Sequence, residues 1–271
     1  MTNKKQIILK KLNEAFSDFK FFPEDHHYEY KGNPVGISVT KFYAQYEQEF
    51  DAEACASRVG KKEGKTTQEV LDEWKYKNEF ATTKGSSVHE YIQSLFSGKP
   101  YKPIWFKGKN EDDDDEYLNA LEKCEELAKY FWRDYRDKLE HIADEYVIGS
   151  SEYDIASCVD HLFINKETGN LLMVDYKTNV DIYKSDKYAK QMKAPLEHLK
   201  DTTLNHYALQ ISIYKYIIEK YTDLVVDEWF IVWFSEANEN YEILEVPYLK
   251  DEVENILEWR KWEWKKIISQ Y

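Results

Sequence analysis

Asp160, Asp175 and Lys177 are charged residues set into runs that otherwise read as buried β-strand. In Leu171-Leu172-Met173-Val174-Asp175-Tyr176-Lys177, successive side chains point to opposite faces. Asp175 and Lys177 therefore project together beside Met173, while Leu172, Val174 and Tyr176 face the other way. An apolar run of this kind suits a strand covered on both faces, where a charge costs several kcal/mol unless it is paired or bound to a metal. The preceding run, 155–164, shows the same anomaly: one face carries Ala156, Cys158, Asp160, Leu162 and Ile164, apolar except for the aspartate. The segment between the runs, 165–170, has turn composition, which predicts a hairpin that brings Asp160 and Asp175 close together. Two carboxylates so placed repel, and a divalent cation that prefers oxygen ligands relieves the repulsion. Lys177 then lies where it can touch a water or a phosphoryl oxygen.

The elements that must position these residues follow from periodicity and turn signals. A helix over about 4–19 leads to a small hairpin over 27–39. Helices are expected at roughly 39–48, 51–60, 67–97 and 112–141, with Gly85 and the turn Gly98-Lys99-Pro100 as interruptions. Strands follow at about 144–149, 154–165 and 170–178, then a lysine-rich connection and a helix at 203–221. Strands at 225–234 and 241–246 and a helix at 249–269 complete the chain. This order predicts an α/β fold, a mixed central β-sheet flanked by helices, with a helical N-terminal half. Residues 1–142 are expected to form a helical part that contributes a histidine and packs on a core of 143–271, the two making one compact domain.

Composition narrows the function classes. The chain has 271 residues and a net charge of −14, which argues against a general nucleic-acid coat protein but leaves room for an enzyme with local basic groups. Such groups cluster at Lys4, Lys5, Lys10 and Lys11, at Lys61, Lys62 and Lys65, at Lys184, Lys187, Lys190 and Lys193, and at Arg260, Lys261, Lys265 and Lys266. The acidic run 111–116 reads as the opening of a helix, where carboxylates complement the dipole. Cys55, Cys124 and Cys158 are too scattered for a disulfide scaffold or a cysteine-held zinc or iron–sulfur site. No apolar run reaches membrane-spanning length, and the amphipathic, basic N-terminus lacks a cleavage-site pattern. A soluble, cytoplasmic protein without a membrane partner is expected.

Two further pairs extend the constellation. His89 follows Gly85 by four residues on a helix and shares a face with Ile92 and Phe96, and Gln210 and Tyr214 lie four apart on the helix after the third strand. Taken together, Gly85-x-x-x-His89, Glu145 on a first strand, Asp160 on a second, Asp175-Tyr176-Lys177 on a third and Gln210-x-x-x-Tyr214 on the next helix resemble the PD-(D/E)XK nuclease superfamily. The pattern is most similar to its RecB-like exonuclease branch, which includes mitochondrial genome maintenance exonucleases and many phage proteins, and it extends over about 27–235. The resemblance implies a restriction-endonuclease-like core, with His89, Asp160, Asp175 and the Tyr176 carbonyl as metal ligands for one or two Mg2+ or Mn2+ ions. It implies that Lys177 orients the attacking water or stabilises charge on the phosphate, that Glu145 assists as an outer or second-metal acid, and that Gln210 and Tyr214 brace the site and contact the nucleic-acid backbone. Some relatives hold an iron–sulfur cluster on four cysteines, a number this chain does not have. Ser157 stands where relatives often carry glycine.

The activity implied is a metal-dependent DNA exonuclease of phage or bacterial recombination, repair or replication type. Its substrate would be single-stranded DNA or DNA with free ends, with a recombination or replication protein as partner. A structure-specific or restriction-like endonuclease, and a catalytically silent DNA- or protein-binding module, are the competing readings. Trp259, Trp262 and Trp264 are candidates for stacking on unpaired bases, with packing or a partner surface as the alternative.

Overall fold

The computed structural model describes residues 3–186 and 189–268, of which 263–268 are described by backbone alone. Lys187 and the side chains of Trp264, Lys265 and Lys266 lie outside what is described. Among the described residues the order is α1 (Asn3–Phe16), β1 (Phe19–Phe22), β2 (His27–Tyr30), β3 (Asn33–Pro34), β4 (Ile37–Ser38), α2 (Val39–Ala44), α3 (Ala52–Glu63), α4 (Thr67–Ser97) and α5 (Glu111–Tyr135). β5 (Leu139–Ser150), β6 (Ile155–Asn165), β7 (Leu171–Lys177), α6 (Thr203–Thr222), β8 (Val226–Trp233), β9 (Glu242–Leu244) and α7 (Lys250–Ile268) follow.

The expected mixed α/β architecture is present. β1, β2 and β3 form a small antiparallel sheet, while β4 to β9 form the central one. β6 pairs antiparallel with β5 along its length; its other edge pairs with β7 at one end and with the short parallel β4 at the other. β7 and β8 are parallel, and α6 is the crossover that a parallel pair requires. Alternation along β7 divides the interior: Leu171 and Met173 enter a core shared with α1, α2, α6 and α7, whereas Leu172, Val174 and Tyr176 enter one shared with α4 and α5. The sheet is thus covered on both faces.

Several local expectations change. The first helix stops at Phe16, and the aromatic run after it forms β1 against β2. The fourth helix does not break at Gly85; it runs from the Thr66–Glu69 capping box to Gly98, whose φ of 73° supplies the left-handed cap. Gly85 instead permits a close approach, because a Cβ there would sit 3.1 Å from Thr178 Oγ1, just past the end of β7. The helix expected to reach residue 141 ends at Tyr135, and β5 starts at Leu139, so the division at 142/143 falls inside a strand. The acidic run does open α5: Asp113 and Asp114 accept hydrogen bonds from the Lys109 and Gly108 amides.

The small sheet is fastened to β5 at Gly149. A Cβ there would lie 2.4 Å from Cε1 of the buried Phe19 ring and 2.9 Å from the Ile155 carbonyl oxygen. Gly149→Ala is therefore expected to lower stability by about 1–3 kcal/mol, read as an earlier urea midpoint with an unchanged slope; an unaltered midpoint would show that β1 shifts freely.

Candidate functional site

The register of the central sheet generates the site. In β5 and β6, Asp144 faces His161 and Tyr146 faces Val159, which sets Glu145 beside Asp160. In β6 and β7, His161 faces Val174, and the same register continued sets Asp160 beside Asp175. Three acids on three neighbouring strands thus form one row. Glu145 reaches it through a left-handed backbone, φ 43°, which interrupts the β5–β6 ladder at that residue. Asp160 accepts a hydrogen bond from the Tyr176 amide at 2.9 Å, tying β6 to β7 beyond their last paired residues.

Two helices close the row from opposite sides. From α4, His89 Nε2 lies 3.0 Å from the Tyr176 carbonyl oxygen, and Nδ1 lies 3.4 Å from Asp160 Oδ2. If Nε2–H donates to that carbonyl, Nδ1 turns a lone pair toward a carboxylate, and two acceptors face each other across a gap suited to a cation. One turn on, Gln93 Nε2 donates to Glu145 Oε1 at 2.7 Å. From α6, Gln210 Oε1 accepts from Lys177 Nζ at 3.1 Å, while its Nε2 donates to the Tyr214 hydroxyl at 2.8 Å. The Tyr214 hydroxyl is also 2.9 Å from Ser157 Oγ. Ser157 therefore supplies the partner that a glycine would not. Lys177 forms an ion pair with Asp175 Oδ2 at 2.6 Å and sits 4.6 Å from the centre of the Tyr207 ring.

This arrangement redistributes the expected roles. The ligating atoms that converge within 4.8 Å of one another belong to His89, Glu145 and Asp160. Glu145, expected as an outer or second-metal acid, lies inside the group, and Asp175, expected as a ligand, is paired with Lys177 at the next place in the row. The Tyr176 carbonyl is present at the site with one lone pair engaged by His89. Tyr214 is buried with its hydroxyl engaged twice, by Gln210 and Ser157, and so braces Gln210. Gln93 was not singled out from the sequence, though it was discoverable as the residue four after His89 on one helix face. Tyr207, three before Gln210, is legible as sharing its helix face, which is the signal that brings its ring to Lys177.

The electrostatics follow from crowding in a space with little water. Loss of water around its carboxyl, and then the charge of Asp160, push Glu145 up to about 7 although the residue as a whole is exposed. Burial, with Asp160 adding to it against the attraction of Lys177, pushes Asp175 up to about 6. Burial opposes the charge on Lys177, but Asp175, Asp160 and Tyr207 outweigh it and hold the ammonium above its ordinary range. Despite the close ion pair, Asp175 Oδ2 is buried without a well-formed hydrogen bond. The Glu145 and Asp160 carboxylates and the His89 imidazole nitrogen, with the Lys177-paired Asp175 beside them, are a donor set that fits Mg2+ or Mn2+.

No protein-family model matches the sequence, and neither does any curated protein. Thirteen chains of solved structure match. One is a candidate exonuclease from Eubacterium rectale, 14% identical, with 70% of this chain and 66% of that chain covered and a TM-score of 0.41. This chain thus spans just under two thirds of that neighbour's length. Among the described residues, no helix is long and apolar enough to cross a membrane.

The raised carboxyl values fix the sign of a pH effect. Glu145 and Asp175 keep protons in the folded chain at pH values where the unfolded chain, near 4.5 and 3.8, has released them. Without a divalent ion their contribution to stability is fully present below those values and is lost as pH rises through about 6 and 7. A cation needs both groups ionised, so its affinity rises through the same window. The rise in melting temperature caused by Mn2+ is expected to grow between about pH 5 and pH 8 and to collapse in Asp160→Asn and Glu145→Gln. A shift of equal size at both pH values, or one retained in both variants, would remove these acids from the ion site.

Proposed function

We propose that this protein is a divalent-metal-dependent nuclease that hydrolyses DNA phosphodiester bonds from strand ends. The observation that carries the reading is the row Glu145, Asp160, Asp175, with Lys177 at one end of it and His89 above it. That assembly supports the earlier resemblance to RecB-like members of the PD-(D/E)XK superfamily. It pairs crowded acids, which need a cation, with a fixed ammonium, which suits a developing phosphoryl charge.

His89, Glu145 and Asp160 would hold a Mg2+ or Mn2+ ion, with Asp175 and the Tyr176 carbonyl at its margin. Such an ion supplies a more acidic water and neutralises charge on the phosphate. Lys177 does the rest from the protein side. Gln210, braced by Tyr214 and Ser157, orients the ammonium; Asp175 keeps it charged; the Tyr207 ring limits its travel. The ammonium can then donate a hydrogen bond to the attacking water or to a non-bridging phosphate oxygen as negative charge builds there.

A path for a strand adjoins the site. A cavity of about 730 Å³ runs between α4 and the segment after β7, lined by Tyr76, Phe80, Lys77 and Lys184 as well as Thr178 and Asn179, which directly follow Lys177. Glu116, Asp181 and Glu236 also line it and offset its lysines, so it is the aromatic faces of Tyr76 and Phe80, suited to stacking on unpaired bases, that favour single-stranded ends over intact duplex. Trp259 and Trp262, both exposed, lie on α7 and offer a further stacking surface. A role in phage or bacterial recombination, repair or replication, with a protein partner from that machinery, accords with such a substrate.

Purified protein is expected to shorten end-labelled linear DNA in Mg2+ or Mn2+, to leave a covalently closed circle intact, and to be inert in chelator. Lys177→Met should lower turnover by about 10²–10³ with little change in DNA or Mn2+ affinity. Cleavage of the closed circle would favour the endonuclease reading. Lys177→Met turnover within about threefold of the parent would end the assigned role of the ammonium.

A further inference from the structure

A second cluster of metal-ligating side chains lies behind the first. The β5–β6 register shifts between His141 and Ala143, so one extra residue is accommodated at Ile142. In a regular strand, residues 141 and 144 would face opposite ways. Here His141 pairs opposite Phe163 and Asp144 opposite His161, two positions of one face, and the bulge therefore gathers His141, Asp144 and His161 on the same side of the sheet. Their ligating atoms fall within 4.8 Å of one another. Both imidazole Nε2 atoms point at Asp144 Oδ1, from His161 at 2.7 Å and from His141 in a closer contact.

We propose that His141, Asp144 and His161 form a zinc site that locks the sheet behind the candidate catalytic row. Two imidazoles and one carboxylate select a zinc-like ion over Mg2+, and three protein ligands leave a fourth place for water on the partly exposed His141 side. The surroundings are those of a built site. His161 is fully buried, with the Phe163 ring centre 4.8 Å and the Phe96 ring centre 5.6 Å from its own. Its Nδ1 lies 2.7 Å from the Tyr176 hydroxyl, which can accept Nδ1–H and leave the Nε2 lone pair for the ion. Asp144 Oδ2 pairs with Lys99 at 2.8 Å, which orients the carboxylate while Oδ1 stays with the imidazoles.

The two clusters are coupled through the chain itself. Asp144, His161 and Tyr176 are the immediate neighbours of Glu145, Asp160 and Asp175, on the opposite face of the same three strands. An ion on the rear cluster would fix the spacing of the front row without touching substrate, so these are positioning residues. The site is independent of the nuclease reading and stands or falls by its own measurement.

Calorimetric titration of chelator-treated full-length protein with Zn2+ is expected to show one ion that about a thousandfold more Mg2+ does not displace, in keeping with the nitrogen ligands. It should persist in His89→Ala and Asp160→Asn, which empty the front site, and be lost in His141→Ala. Tyr176→Phe should weaken it by about 10–100-fold. Should His141→Ala fail to fold, Co2+ added to otherwise unaltered His89→Ala protein provides a separate reading: visible bands of four-coordinate intensity support the rear site. Zinc lost with His89→Ala but kept with His141→Ala would overturn the proposal, as would Co2+ bands of six-coordinate intensity or no Zn2+ binding by the parent protein.

Discussion

Mutual repulsion among Glu145, Asp160 and Asp175 is the constraint to which the rest of the site answers. Strand spacing sets such neighbours about 5 Å apart, and loss of water strengthens the conflict. The protein relieves it at one end of the row with the Lys177 ammonium, while the other end faces His89 and Gln93. One end is thus balanced and the other is left acidic, an imbalance that a divalent cation corrects and that burial of apolar side chains could not.

The fold is arranged so that this imbalance survives folding. Met173 and its neighbours on one face, and Leu172, Val174 and Tyr176 on the other, anchor β7 between two apolar cores, so the end of the strand cannot swing away from the charges it carries. α4 is brought down beside Thr178 at Gly85, one turn before His89, and α6 sets Gln210 over Lys177. The stability contributed by the apolar layers offsets what the polar row costs. The expense is concentrated where binding a cation can recover it.

Much of this was legible in the sequence because strand alternation has a period of two and needs no knowledge of distant segments. Asp160, Asp175 and Lys177 stand out against apolar runs, and 165–170 marks the turn that joins them. The extents of α4 and α6 were legible as well, from sustained helical periodicity and the Gly98-Lys99-Pro100 turn, although Gly85, read as an interruption, lies within an unbroken α4. What escaped depends on departures from local rules. β4 is only two residues long and acquires its identity from pairing with β6, more than a hundred residues away. The aromatic run of β1 extends the apolar pattern of α1 and could be told from helix only by its partner. The bulge at Ile142 reverses the faces of β5, which conceals His141, Asp144 and His161 from any regular alternation, and the left-handed Glu145 adds a second irregularity three residues later. Whether Asp175 serves a cation or Lys177 first is decided by side-chain geometry within the row, which residue order does not encode.

Anomalous diffraction from crystals grown with Mn2+ addresses the central claim most directly. The account predicts a single strong peak, or a close pair, bounded by Glu145, Asp160 and His89 Nδ1, within about 2.0–2.3 Å of their ligating atoms. It also predicts that Lys177 stays in contact with Asp175 beside it. A map without a peak there at saturating Mn2+, with the His89 imidazole bonded directly to Asp160 instead, would contradict the claim that the row exists to hold a cation.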